Sequence, residues 1–401
     1  MRILLTSNAS YNPPRGGATR SNLIWLDHLA HAGHQCRIVC GPSGAGAELP
    51  YHPSIAVFAV EEPPRRIQVL REQIREFRPD WVLVSSEDLG HALLREAQHS
   101  AEGRVVYLAH TPQFYPFGPA SWNPDRLAAL LVSEAAGIVA IGHHMAEYIE
   151  RELGRTAVVI HPPLYGAGPF PQYLNSDRGS ITMINPCAVK GVSIFLQIAE
   201  RLPGHDFAVL PGWGTTSEDC RALERLPNVR FLPNARNIDD VLASTRVLLM
   251  PSLWYEGFGL IVMENMLRGI PVIASDSGGL KEAKFGTGYV IPVRTIERYQ
   301  PVFDEHGMPK PVVHENDVTP WLAALNELLT DRAAYQRESQ ASRDAALRFV
   351  ARLDAAHMES YLEALHPRPR TAAPVHATVE SLTPERRALL LDRLRKRKTV
   401  G

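Results

Sequence analysis

Two doubly wound α/β domains facing each other across a cleft are the fold this sequence predicts. Three observations predict it. Short apolar runs alternate with helical patterns, first from Ile3 to His161 and again from Ile181 to Ile291. A stretch dense in proline and glycine, His161-Pro-Pro-Leu-Tyr-Gly-Ala-Gly-Pro-Phe-Pro-Gln-Tyr173, separates the two series and reads as a linker. And 401 residues are long for one core but fit two. Two such halves make a cleft, the expected place for a ligand.

The elements follow in order. Ile3–Thr6 is the first strand, and Arg15-Gly16-Gly17 lies in the loop after it. A helical stretch near Arg20–Ala32 ends at Gly33. Strands are expected at Gln35–Cys40, Ile55–Val60, Trp81–Ser85, Val105–Ala109, Gly137–Ile141 and Val158–His161, which closes the first half. The second half has strands at Ile181–Ile184, Asp206–Leu210, Val229–Phe231, Val247–Met250, Val272–Ala274 and Tyr289–Ile291. Domain boundaries therefore fall at 1–162 and 163–348. Arg294–Val313 makes an unusually long connection, read either as a surface insertion touching a ligand or as an ordinary loop. Helical patterns run through Pro320–Thr330 and Asp331–Leu365. Residues 366–401 read as a linker and then a basic amphipathic helix at 383–398, with Thr383 as N-cap, Pro384 and Glu385. This helix is a plain surface appendage, or it docks to a synthase or an anionic membrane surface.

Composition narrows the class. With 45% hydrophobic and 21% charged residues the chain reads as a globular enzyme. A formal net charge of −1 gives no field that favours nucleic acid. Cys36, Cys40, Cys187 and Cys220 have no C-x-x-C spacing and read as thiols in a reducing cytoplasm. The N-terminus turns polar too early for a signal peptide, and no run of eighteen apolar residues occurs.

The chemistry concentrates in Trp254-Tyr-Glu-Gly-Phe-Gly-Leu-Ile-Val-Met-Glu264. A buried strand precedes it and Gly269-Ile-Pro-Val-Ile-Ala274 follows, so the order is strand, glycine turn, helix, strand. In an open parallel sheet, ligands bind where that turn lies. A helix start also offers unpaired N–H groups to an anion. This segment, ending in Ser275-Asp276-Ser277-Gly278-Gly279-Leu280-Lys281-Glu282, resembles the donor site of the retaining glycosyltransferases of family four, group 1, which have the GT-B fold of two Rossmann-like domains.

The resemblance implies a role for each matching residue. Glu264 would accept hydrogen bonds from the two ribose hydroxyls of a nucleotide sugar. Glu256 would meet the sugar, and the amides of Gly257, Phe258, Gly259 and Leu260 would face sugar and diphosphate. Lys190 would stabilise the leaving diphosphate. The family carries Gly-Arg-x4-Lys-Gly at this point, whereas this chain has Ile184-Asn185-x4-Lys190-Gly191, so Asn185 replaces a cation with a neutral donor. Gly16 and Gly17 would let backbone approach the diphosphate from the opposite domain. His110, in isolation a satisfied histidine, would sit beside the donor sugar. Phe231–Asn234 would hold the base, with Trp213 stacking on it or simply packing. A helix at 349–365 would cross back to the first domain. His143 and His144 are structural. No Asp-x-Asp occurs, which agrees with a metal-independent hexosyltransferase that needs no cofactor beyond the nucleotide sugar. Rival readings are another GT-B activity, such as an epimerase or phosphorylase, and a donor-binding module without catalysis. The acceptor is unknown, a natural product or a glycan, and Tyr115, Phe117 and Trp122 suggest a partly apolar one.

Overall fold

A computed structural model describes residues 1–14, 16–42, 52–173, 175–235 and 237–368. Arg15 and the helix expected at 383–398, with its linker from 369 on, lie outside the described residues.

The chain forms two parallel sheets. The first holds β1 (Arg2–Thr6), β2 (Gln35–Cys40), β3 (Ala56–Ala59), β4 (Trp81–Ser85), β5 (Val105–Ala109), β6 (Gly137–Ala140) and β7 (Val158–Val159), in the order β3-β2-β1-β4-β5-β6-β7. The second holds β8 (Ser180–Ile184), β9 (Phe207–Leu210), β10 (Val229–Phe231), β11 (Thr245–Met250), β12 (Val272–Ser275) and β13 (Val290–Ile291), in the order β10-β9-β8-β11-β12-β13. Each of these strands was expected, with ends displaced by two residues at most. Central strands such as β4 and β5 are buried at all five positions. Helices cover both faces of such a sheet, so the strand reads as a continuous apolar run rather than an alternation.

Strand order fixes where a ligand can bind. In the first sheet the order reverses between β1 and β4; in the second it reverses between β8 and β11. At such switch points the connections leave in opposite directions and open a crevice at the strands' carboxyl ends. The two crevices face each other. Gly17, after β1, lies against Leu260, after β11: a Cβ on Gly17 would stand 3.0 Å from Leu260 Cδ1. Gly257 meets His110, after β5, in the same way. One apolar cluster runs beneath both domains, from Ile3 and Leu5 through Phe258 and Val262 to Met358 and Leu362. Phe258 is its wedge, stacked at 5.6 Å on Phe349 and tilted against His161 at 5.1 Å.

Three local expectations change. Gly16 and Gly17 are not in a loop but open the helix Gly16–His31. The helical pattern over Asp331–Leu365 divides into Arg332–Val350 and His357–Ala364. Asp354 causes the break: its Oδ1 accepts from Ala356 N and its carbonyl from His357 N, an alternative to continuing the helix. The second piece lies on the first domain, where Trp81 Nε1 donates to Leu362 O at 2.9 Å and His34 Nε2 bonds Glu359. Within Arg294–Val313 an antiparallel hairpin forms, β14 (Tyr299–Phe303) and β15 (Pro309–Pro311). Its turn is held by Asp304 Oδ1, which accepts from His306 N and Met308 N, and by Gly307 at φ 74°. No helix among the described residues is long and apolar enough to cross a membrane.

Candidate active site

The second domain's switch point carries the motif of two glutamates. β11 ends at Met250, and residues 251–259 turn into the helix Leu260–Leu267. Glycines are obligatory here because two turns pack backbone to backbone. A Cβ on Gly278 would lie 2.4 Å from both N and O of Glu256, and one on Gly279 would lie 2.5 Å from Gly257 O. The Gly278-Gly279 pair after β12 thus supports the Glu256 turn from behind, and Gly279 N donates to Glu256 O.

Glu256 is nearly buried. Its Oε1 accepts from Lys190 Nζ and from Ser252 Oγ, both at 2.5 Å. Lys190 arrives from the β8 side of the same switch point, on a short 3-10 turn, and its ammonium lies 4.4 Å from the Trp254 ring centroid. So Lys190 and Glu256, 66 residues apart, form one pair with an aromatic wall. Among the described residues, the amides of Gly257, Phe258, Gly259 and Leu260 donate to no other group. The Phe258 side chain points into the core between the domains.

Glu264 sits in the first turns of the helix, 5% exposed, with its Oε1 2.9 Å from Arg20 of the opposite domain. The sequence reading missed Arg20, since nothing local links residues 244 positions apart.

His110 is fully buried. Asn22 donates through Nδ2 to Tyr11 and Ser85, so its Oδ1 is the acceptor facing His110 Nε2 at 2.7 Å. Nε2 therefore carries the hydrogen, and Nδ1 is a bare acceptor, buried without a partner among the described residues. Burial pushes the imidazole's pKa down to about 3, so the ring is neutral at any working pH.

Asn185 does a different job from a cationic side chain. It stands at φ 56°, a left-handed conformation that asparagine tolerates. Its Oδ1 accepts from Gly214 N at 2.9 Å and Thr215 Oγ1 at 3.4 Å, which braces the loop carrying Trp213. Its buried Nδ2 has no partner among the described residues. Trp213 is 40% exposed and lies 5.5 Å from Trp254. Phe231 is 37% exposed at the end of β10.

Two further carboxylates had no role assigned from the sequence: Glu87, which was not singled out, and Glu282, quoted only as the end of the motif. Glu87, after β4 at the first domain's switch point, has a buried Oε2 without a partner among the described residues, and burial raises its pKa to about 7. Glu282 accepts from His143 N at 2.8 Å and His144 N at 2.9 Å. These are the first amides of the helix His143–Leu153, so a carboxylate of one domain caps a helix of the other. Glu282, His143 and His161 are also close enough to share a cation, as are His34, Glu359 and Glu363. Neither group belongs to a switch point.

The arrangement pairs a cation and a buried acceptor with two carboxylates and a row of amides, across a seam between domains. Residues 179–331 match the family described as Glycosyl transferases group 1, and residues 15–164 match Glycosyltransferase Family 4. Trehalose synthase of Pyrococcus horikoshii is 26% identical over 173 residues, 34% of this chain and 41% of that relative. D-inositol 3-phosphate glycosyltransferase of Mycobacteroides abscessus is 29% identical over 129 residues, 29% of each chain. The chain thus spans well under half the length of these two relatives. Among solved structures, Anabaena Alr3699/HepE in complex with UDP and glucose superposes with a TM-score of 0.65 at 16% identity, over 90% of this chain and 98% of that one.

Proposed function

We propose that this chain, which belongs to the group 1 glycosyltransferases and has the GT-B fold, moves a hexose-type sugar from a nucleoside diphosphate to an acceptor hydroxyl with retention of configuration. The observation that carries the reading is the juxtaposition of Lys190, Glu256 and the 257–260 amides with His110 and Gly17 of the other domain.

The donor lies between the facing switch points. Glu264 accepts from the ribose hydroxyls, leaving its partner Arg20 within reach of the same nucleotide. The amides of the glycine turn and the Lys190 ammonium receive the diphosphate. The acceptor oxygen approaches the anomeric carbon from the side on which the diphosphate departs. The sugar–phosphate C–O bond breaks, the new C–O bond forms, and the acceptor's proton passes to the departing phosphate oxygen. Products are the glycoside and a nucleoside diphosphate. Charge grows on that oxygen during the step, and Lys190 stabilises it there, in a low-dielectric pocket. Glu256 accepts from sugar hydroxyls and faces the positive charge of the oxocarbenium-like ring. His110 Nδ1 accepts from a sugar hydroxyl, a role suited to a neutral imidazole. None of these steps uses a metal ion. That HepE was solved with UDP supports UDP-sugars as the first donors to try.

The test is a release screen. Protein is incubated with EDTA and UDP-, GDP-, ADP- or TDP-sugars, and freed nucleotide is read by mass spectrometry. Release from one donor, undiminished by EDTA, is the expected result. Tight binding of a nucleotide without any turnover, with or without acceptors, would favour a donor-binding module instead. The neutral Asn185 in place of a cation is the feature that points that way.

A further inference from the structure

A cavity of about 890 Å³ opens beside the Glu256 turn, where Tyr255 and Gly278 line it. Its walls come from both domains: the 113–122 segment and the helix His143–Leu153 on one side, the 276–278 turn and the β14–β15 hairpin on the other. We propose that this cavity is the acceptor subsite, and that the acceptor it takes is a neutral molecule with a flat apolar body, not a phosphorylated sugar or a charged glycan. The proposal rests on the glycosyltransferase reading above and names its second substrate.

Position comes first. Tyr255 and Gly278 line the cavity, and Gly278 is the residue pressed against the Glu256 backbone. The wall of the cavity and the turn that holds Glu256 are therefore the same stretch of chain. Trp254 stands between them: one neighbour is Lys190 Nζ at 4.4 Å, the other the Trp122 ring at 6.2 Å. A molecule in the cavity therefore lies against the backbone of the Glu256 turn, with Trp254 and Trp122 between it and Lys190.

Shape and surface come next. The volume suits a ligand of drug size. Five aromatic rings face it, from Trp122, Tyr148, Tyr255, Tyr299 and Phe303. Such rings offer broad, rigid apolar faces with a few polar tips. Phe303, which lines the cavity, is 65% exposed, an unusual exposure for a large apolar side chain.

The hairpin that completes the wall is tied down. Tyr299 meets Trp122 edge to face at 5.5 Å across the domain seam. At the hairpin tip, Glu305 Oε1 accepts from Ser217 N at 2.7 Å and from Ser217 Oγ at 3.0 Å, and His306 Nε2 bonds Thr215 O at 2.9 Å. Thr215 in turn belongs to the loop that Asn185 braces. The cavity is thus a built feature joined to the donor side.

Charge decides the class of ligand. Two arginines line the cavity, Arg151 and Arg298, against two acids, Asp276 and Glu297. These cancel. Arg151 is already bonded to Glu152 at 2.8 Å. Recognition of a phosphate uses clustered, convergent guanidinium or ammonium groups, and this cavity has no such cluster among the described residues.

The test uses equilibrium dialysis of the full chain, saturated with the nucleoside diphosphate that stabilises it most, against tritiated estradiol as a flat neutral probe. Glucose 1-phosphate and maltotriose serve as competitors. Wild type should retain the probe, and neither competitor should displace it. Phe303→Ser and Trp122→Ala should each weaken binding about tenfold, as expected for loss of part of an aromatic contact. Phe303→Ser, at an exposed position, should leave the nucleotide-induced rise in melting temperature unchanged. Nucleotide stabilisation without probe retention, retention by the two variants as strong as wild type's, or displacement by either competitor would overturn the acceptor assignment alone. Absence of stabilisation by any nucleotide would overturn the donor reading beneath it, and the assignment with it.

Discussion

Gly257→Ala tests how closely the two domains must meet. Gly257 carries no side chain because His110 of the other domain occupies the space. An added Cβ would stand 2.4 Å from the His110 carbonyl oxygen and 2.9 Å from Ile141 Cδ1. The nearer group is backbone at the end of β5 and has no rotamer to change. Ordinary contact begins near 3.4 Å, so the seam must open by about 1 Å to admit one methyl group. The residues on its two sides, His110 and Glu256, are both assigned to the donor sugar. A displacement of about 1 Å between such groups costs about 100-fold in rate, or about 2.7 kcal/mol. The fold itself should lose only about 1–3 kcal/mol, since the domains can separate rather than compress. The assay is kcat/KM for donor hydrolysis or transfer, alongside the melting temperature. Gly204→Ala is the control, with nothing within 4 Å of its added Cβ and an expected effect within about 0.5 kcal/mol. If Gly257→Ala retained wild-type kcat/KM, the seam contact would be irrelevant to chemistry and the placement of His110 at the sugar would fall.

Three other variants probe separate parts of the site. Lys190→Met should lower kcat by about 100- to 1,000-fold by removing the charge that meets the leaving group, and unchanged turnover in a folded variant would end that assignment. Glu282→Gln should lower the melting temperature by about 2 °C, because the charge at the start of the helix His143–Leu153 is lost; an unaltered temperature would mean the contact carries no energy. His110 gives a pH dependence. Its folded pKa of about 3 lies below the ordinary 6.5, so the unfolded chain takes up a proton that the folded one refuses. Its contribution to stability is full above 6.5 and is lost as the pH falls toward 3, at about 1.4 kcal/mol per pH unit. Urea unfolding at about pH 7 and pH 5 should therefore show wild type losing about 2 kcal/mol more than His110→Gln, and equal losses would contradict a buried neutral ring.

The strands were legible because a parallel sheet covered on both faces turns each strand into an apolar run, as in Val105–Ala109. The helix break at Asp354 was not legible, since its cause is a local side-chain bond competing with the helix. Nor were β14 and β15, which are mostly exposed and each contain proline, so no burial pattern marks them. Within the site, Glu256, Glu264, Lys190 and His110 were picked out by the family resemblance. Their partners were not. Arg20 with Glu264, Glu282 with the 143–144 amides and Gly257 with His110 are contacts between domains, and each depends on how two separately folded sheets face each other. Asn185 was visible as a departure from the family's arginine, but its bracing of the Trp213 loop needed coordinates.

The central claim is that a nucleotide sugar sits between the facing switch points with its ribose on Glu264. Its most direct test compares affinities for the preferred nucleoside diphosphate and its 2′,3′-dideoxy analogue, in wild type and in Glu264→Gln. Wild type should prefer the intact ribose by about 10- to 100-fold, the worth of hydrogen bonds to a charged group. The substituted protein should lose most of that preference while binding the dideoxy analogue about as well as wild type does. An equal preference in both proteins would contradict the account, because the ribose would then be held somewhere other than at Glu264.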